Sequence, residues 1–368
     1  MLGAIYIMRG RKALILKAVD TLEFGLLIED YYLSMSPHLE QFKYLKDKAQ
    51  KEGKEQSIKI GEIELTVHAT GQKFYAYRLS CNDFLISFME KEMSFNSPVM
   101  VRLLSSFLWS YGVVEAQAIF MKWFSTFSVN VLATSLSRID PSFDTDEMIF
   151  TQKDVKGVVT RAKGKTEHFV NEEYTYGRKF SGFTIGRGKP MLARIYNKTL
   201  EVKKSGKTWF HQIWRDNNWD ETKDVWRVEY QIRREALKEL GIATFESFIE
   251  KQNELWAYLT KEWLTLRNPS KDNISRWKLK RKWKLIQEAK NDYVAEPLIR
   301  ETIKQGNLMR LLDQAAGLLM SVAAISNHES TGETTKVLQS WCDSKLAHKK
   351  KSFESEKTYR QSKFLNLN

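Results

Sequence analysis

The sequence predicts an α+β protein: an antiparallel β-sheet catalytic core with flanking helices, then a mainly helical C-terminal region. Three observations carry that expectation. In Met191–Lys198, Ala193 and Ile195 point one way, while Arg194, Tyr196 and Lys198 point the other. In Val225–Arg233, Trp226, Val228, Tyr230 and Ile232 share one face, and Arg227, Glu229, Gln231 and Arg233 the other. Period-two alternation of this kind marks half-buried strands with one solvated face. From Glu235 the period changes, and helical spacing replaces the β pattern.

The elements follow in order. Leu22–Ile28 reads as an opening strand, Ser57–His68 as a hairpin and Gln72–Leu79 as another strand. Val99–Leu108 and Ala116–Thr126 have the apolar spacing of helices. Asn130–Asp140 returns to strand, with Thr134, Leu136, Arg138 and Asp140 on one face. Pro141 cannot donate to a ladder, so the strand is expected to end at Asp140 or to bulge there. Thr160–His168 and Tyr174–Ile185 read as strands, with turns at Gly164 and Gly186. Glu201–Asn217 is expected to be a helix interrupted by Gly206. Ala236–Leu240, Thr244–Leu264 and Ala295–Ser326 read as helices. Asn268-Pro269-Ser270 breaks the pattern and suggests a division into a catalytic domain, 1–262, and a basic helical region for DNA binding or oligomerisation, 263–368.

Composition narrows the function. The chain has 368 residues, 42% of them hydrophobic, enough for a sizeable core. The formal net charge of +13 points to a polyanionic partner. Cys81 and Cys342 stand far apart, which argues against a disulfide framework or structural zinc and fits a reducing cytoplasm. The apolar start is broken by Arg9, Arg11, Lys12, Lys17 and Asp20 and does not read as a signal peptide. Leu311–Ile325 is too short to span a membrane, so no membrane partner is expected. No Gly-x-x-x-x-Gly-Lys-Ser/Thr loop is present, which argues against ATP hydrolysis. None of the six histidines is paired as His-apolar-His.

Arg194-Ile195-Tyr196-Asn197-Lys198 followed by Trp226-Arg227-Val228-Glu229-Tyr230 resembles the trans-acting Rep proteins, the rolling-circle replication initiators of Gram-positive plasmids. Relaxases of some conjugative elements belong to the same broad group. Ser137–Asp144 is similar to that family's Arg-apolar-Asp-x-x-apolar-Asp strand, and Tyr174-x-Tyr176-Gly177 with Phe183–Gly186 to its glycine-bearing hairpin. The resemblance covers about 130 to 240 of this chain.

The resemblance implies a DNA nicking and closing enzyme that cuts one strand at an origin, single-stranded or hairpin, through a 5′-phosphotyrosyl intermediate. It implies Tyr196 as the nucleophile, with Arg194 and Lys198 beside it, and a divalent ion, Mg²⁺ or Mn²⁺. It also implies a homodimer and a host helicase partner. Asp140, Asp144 and Glu229 are the candidate metal ligands, because hard oxygen donors suit these ions. The alternative is structural pairing of Asp140 with Arg138 and of Glu229 with Arg227. Tyr174 and Tyr176 compete with Tyr196 but lack the Arg-x-Tyr-x-Lys setting.

Two basic groups are candidate phosphate contacts. Arg178, Lys179, Arg187 and Lys189 precede the tyrosine strand, along with Arg161, Lys163 and Lys165. Arg276, Lys278, Lys280, Arg281 and Lys282 form the densest basic run, with Trp277 and Trp283 interleaved. The alternative for this run is a helix with tryptophans in the core and lysines in solvent. The rival functions are a conjugative relaxase with the same chemistry and a sequence-specific DNA-binding regulator without catalysis.

Overall fold

A computed structural model describes residues 13–91, 96–171, 178–188, 190–271, 273–289, 312 and 315–358. The chain forms two compact units, Met1–Ile303 and Lys304–Asn368.

The first unit is built on an antiparallel sheet. Its strands in chain order are β1 (Ile15–Ile28), β2 (Gln56–Ile60), β3 (Ile63–Val67), β4 (Tyr77–Ser80), β5 (Phe84–Phe88), β6 (Val99–Leu103), β7 (Val131–Thr145), β9 (Lys165–Asn171), β10 (Arg178–Ile185), β11 (Met191–Asn197) and β12 (Trp226–Arg233). These eleven strands lie side by side as β2-β3-β4-β5-β6-β1-β7-β12-β11-β10-β9. A separate small pairing joins β8 (Val158–Thr160) to β13 (Leu264–Leu266). The α+β expectation therefore holds.

One face of the sheet carries the main core. Leu22, Phe24 and Leu26 of β1, Ile139 and Phe143 of β7, and Val228, Tyr230 and Ile232 of β12 all point into it. Helices α1 (Tyr31–Glu52), α2 (Ser105–Phe124), α6 (Arg234–Glu239), α7 (Phe245–Ala257) and α8 (Arg281–Glu288) contribute to that cluster. The sequence expectations contain no helix at α1, although Tyr31, Met35, Leu39 and Phe42 are buried at helical spacing.

The other face holds an open cleft beside one covered end. There α4 (Lys198–Ser205) and α5 (Trp209–Asp216) build a second core from Val202, Trp209, Phe210, Ile213 and Trp214, with Leu14, Trp109 and Val225. Asn197 caps α4 by accepting the Leu200 N–H at 3.0 Å. Gly206 ends it at φ +70°, as glycine readily can, and this is the interruption expected within 201–217. This second core covers the sheet where Asp144 and Arg227 stand, which decides their environment below.

Several expectations are corrected. Val99–Leu103 is strand β6; the helix begins at Ser105. An apolar run of that length reads equally well as either. Strand β7 does not end at Asp140 but runs through Pro141 to Thr145. Pro141 sits where β1 shifts register between Val19 and Thr21, so the missing N–H falls at a bulge. The expected boundary at 262/263 lies inside the first unit. Leu264–Leu266 pairs with β8, and Trp283 of α8 is fully buried, its indole N–H donating to the Thr260 carbonyl at 2.8 Å.

The second unit contains helix α9 (Thr331–His348). Its cap is Ser330, whose hydroxyl accepts the Glu333 N–H at 3.2 Å.

Candidate functional site

The register of three central strands assembles a cleft on the open face. Arg194 of β11 lies opposite Glu229 of β12, and Glu229 opposite Ser142 of β7. Two residues along β7, Asp140 lies opposite Thr21 of β1. Tyr196, Arg194, Glu229, Asp140, Arg138, Asp20 and Lys198 all line one cleft of about 390 Å³. Gly182 of β10 pairs with Tyr196, and a Cβ there would stand 2.3 Å from the Ile195 carbonyl and 2.7 Å from Tyr196 Cα. Only glycine lets β10 lie this close behind the tyrosine.

At the centre, the Tyr196 hydroxyl donates to Glu229 Oε2 at 2.8 Å. Arg194 Nη1 donates to Glu229 Oε1 at 2.8 Å, so tyrosine and arginine hold one carboxylate from two sides. Burial and then the Glu229 charge push the Tyr196 phenol well above its ordinary value, against a downward pull from Arg227. Cations beside a tyrosine would favour its phenolate, but neither Arg194 nor Lys198 is free to do so. In the structure Arg194 is spent on Glu229, and Lys198 opens α4 with its ammonium paired to Glu201. Lys198 Nζ lies 4.6 Å from the Phe210 ring centroid and 5.7 Å from that of Tyr196. Burial, then the Arg227 charge, lowers its pKa. The resting phenol is therefore protonated, with a carboxylate in place to take its proton.

Asp140 is clamped by Arg138, with Nε donating to Oδ1 at 2.8 Å and Nη2 donating to Oδ2. This is the structural pairing that the sequence left open as an alternative. Even so, burial, with the Glu229 and Asp20 charges adding to it, raises Asp140 to about 7 despite Arg138. Glu229 pairs with Arg194, not with its own-strand neighbour Arg227.

Asp144 is corrected. It has no exposed surface and accepts from Arg227 Nε at 2.6 Å, Arg227 Nη2 at 2.8 Å and the Trp214 indole at 3.0 Å. It does not line the cleft. Alternation puts it on the right face, but helix α5 roofs that end of the sheet. Arg227 also reaches Asp20, its Nη1 donating to Oδ1 at 2.7 Å. The guanidinium lies 4.7 Å from the Phe210 ring and 4.9 Å from that of Trp109.

Asp20, like Lys207, is a cleft residue absent from the sequence candidates. It also accepts from Ser105 Oγ at 2.8 Å and from Trp109 Nε1 at 3.0 Å. Against the upward push of burial, Arg227 and then Lys198 hold it at about 2. The signal available was an acid inside an apolar β run, Ile15–Ile28.

Among the described residues no three His, Cys, Asp or Glu side chains form a group able to hold an ion. Asp140 and Glu229 do share the cleft, and their mutual repulsion shows in the raised Asp140. Two carboxylates suit an ion such as Mg²⁺, which keeps several waters and takes further oxygens from a phosphate.

The basic candidates divide. Arg178 and Lys179 are exposed at the start of β10, and Arg187 is exposed beyond its end. Arg161 is exposed beside Glu262, while Lys165 donates to the Val158 carbonyl at 2.8 Å. Lys189, Tyr174 and Tyr176 lie outside the described residues. Arg276, Lys278 and Arg281 are exposed. Lys280 and Lys282 are corrected: both end on Asp154, each at 2.6 Å. Their charges serve α8 packing, as does Trp283.

Asp154 gives that correction a pH signature. Burial raises its carboxyl, but hydrogen bonds from Lys280 and Lys282 outweigh this and hold it below the ordinary range. A depressed carboxylate contributes stability above its unfolded pKa of about 4, and the contribution is lost as pH falls through the folded value. Replacing both lysines by alanine is expected to cost about 2–3 kcal/mol at pH 7, since hydrogen bonds to a charged group are lost. The gap from wild type should narrow below about pH 4. Denaturant melts at both pH values check this; a gap that is constant with pH would contradict it.

No family model and no curated protein matches the chain. Among solved structures, the chain is similar to a rolling circle replication initiator protein from Geobacillus stearothermophilus. The identity is 15%, the match covers 74% of this chain and 97% of that one, and the TM-score is 0.44. Among the described residues no helix is long and apolar enough to cross a membrane.

Proposed function

We propose that this protein nicks and rejoins one strand of DNA through Tyr196, as a rolling-circle replication initiator does. The observation that carries the reading is the Arg194–Glu229–Tyr196 chain of hydrogen bonds in an open, cation-bearing cleft. It has the form of an activated nucleophile: a hydroxyl, a base within reach, and a third group that orients the base.

In the forward step Glu229 takes the phenol proton as the Tyr196 oxygen attacks phosphorus. The bond from phosphorus to the 3′-oxygen breaks as the tyrosyl–phosphorus bond forms. The 3′-oxygen leaves with the bond's electron pair and picks up a proton from solvent. The 5′-phosphate stays on Tyr196. The exchange replaces one phosphodiester by another, so a 3′-hydroxyl can later reverse it without ATP. Arg194 orients Glu229 toward the phenol. Lys198 and Lys207 line the cleft and present positive charge to the phosphate. With Glu229 serving as the base, Asp140 would be the cleft carboxylate left to hold a Mg²⁺ or Mn²⁺ ion, which when bound supplies Lewis-acid polarisation of a phosphate oxygen. Exposed Arg178, Lys179 and Arg187 would hold neighbouring phosphates.

Incubation with labelled single-stranded origin DNA and Mn²⁺, followed by a denaturing gel, tests the reading. A DNA regulator without catalysis gives binding but no adduct. Glu229→Gln keeps the shape and removes the base, so nicking should fall by at least a hundredfold, with DNA affinity and melting little changed. Full activity in that variant would remove Glu229 from the chemistry.

A further inference from the structure

Two rows of paired residues cross the cleft floor side by side. In one, His168 of β9 lies opposite Gly182 of β10, and Gly182 opposite Tyr196 of β11. In the other, Thr184 of β10 lies opposite Arg194 of β11, and Arg194 opposite Glu229 of β12. All of these residues except Gly182 line the cleft. The two ends of the first row lean over the second. The Tyr196 hydroxyl reaches Glu229, and His168 Nε2 lies 2.8 Å from the Thr184 hydroxyl. Phenol and imidazole therefore stand toward opposite ends of the Thr184–Arg194–Glu229 row, which spans two strand spacings, roughly 10 Å. Between them lie the half-exposed Arg194 side chain and Gly182, which raises no side chain at all.

Displacement at phosphorus places demands on that gap. The attacking and leaving oxygens lie roughly in line, on opposite sides of the phosphorus. Phosphorus sits about 3–3.5 Å from the attacking oxygen, and an acid must reach the leaving oxygen by a hydrogen bond of about 3 Å. A proton donor for the leaving group therefore belongs roughly 8 Å from the phenol oxygen, across the phosphate from it. His168 is on that side, is exposed to solvent and is the one histidine lining the cleft. Imidazole both gives and takes protons near neutral pH.

We propose that His168 is the general acid of the nicking step, the group through which a solvent proton reaches the departing 3′-oxygen. This deepens the nicking reading and rests on it. As the bond from phosphorus to the 3′-oxygen breaks, its electron pair stays on oxygen, and the proton of an imidazolium N–H moves to that oxygen. The N–H electron pair stays on nitrogen, and water protonates the neutral imidazole again. In rejoining, the neutral imidazole takes the proton of the attacking 3′-hydroxyl. Thr184 orients the ring.

The test times covalent adduct formation by the full-length protein on two single-stranded origin DNAs, one with oxygen and one with sulfur at the 3′-bridging position of the nick. A thiol ionises at about 8.5, so sulfur departs as thiolate and needs no acid. On the oxygen substrate His168→Ala should react roughly a hundredfold more slowly than wild type. On the sulfur substrate the two should differ by less than about threefold. His168→Gln can keep a hydrogen bond to Thr184 but cannot carry the proton, so it should behave as the alanine variant does. Glu229→Gln should be slow on both substrates, because sulfur does nothing for the nucleophile. Equal losses on both substrates in the His168 variants, wild-type rates on oxygen, or recovery by glutamine would overturn the assignment of His168 alone. A wild type that forms an adduct with neither substrate would overturn the nicking reading instead.

Discussion

Arg227→Met should lower the melting temperature by about 5–8 °C, the largest stability effect expected of any single substitution here. Arg227 is wholly buried and is the counter-charge of two acids, Asp144 and Asp20. Methionine fills similar volume but leaves Asp144 with only the Trp214 indole as a donor. Removing one partner of a buried pair costs about 3–5 kcal/mol, because the remaining charge is stranded. Combining the change with Asp144→Asn should cost less than the sum of the two, as expected for residues in one network. The measurement also decides the role of Asp144. A ligand exposed to an ion predicts that Asp144→Asn alone is thermally neutral; a buried partner of Arg227 predicts clear destabilisation.

Tyr196→Phe should have the largest effect on activity. It removes one oxygen and keeps the ring against Lys198 and Gly182. Melting and DNA affinity should change little. Nicking and covalent adduct should disappear together, because one atom is responsible for both. Hydrolysis by an activated water predicts that nicking survives the substitution, and that even the wild type forms no adduct.

Much of the cleft was legible because alternation is a local property. Reading Arg194 and Tyr196 on one face of β11, and Glu229 on one face of β12, needed only period two. That β11 and β12 are neighbours, with Arg194 opposite Glu229, is register, which no single strand encodes. The same gap explains the error at Asp144. Its face was right, but α5, some seventy residues later in the chain, buries it under Trp214. Asp20 carries no motif, and its position depends on a bulge opposite Pro141. Lys280 and Lys282 read as a nucleic-acid patch because their partner, Asp154, is more than 120 residues away. Trp283 at their centre was the available hint, since a large aromatic within a basic helix needs a core to face.

The central claim is that Tyr196 itself becomes bonded to DNA. Wild-type protein is incubated with single-stranded origin DNA and Mn²⁺, digested with nuclease and protease, and the nucleotide-bearing peptide is sequenced by mass spectrometry. The account predicts a single modified peptide spanning β11, with the phosphate on Tyr196. A phosphate on Tyr174 or Tyr176, or cleaved DNA with no modified peptide, would contradict it.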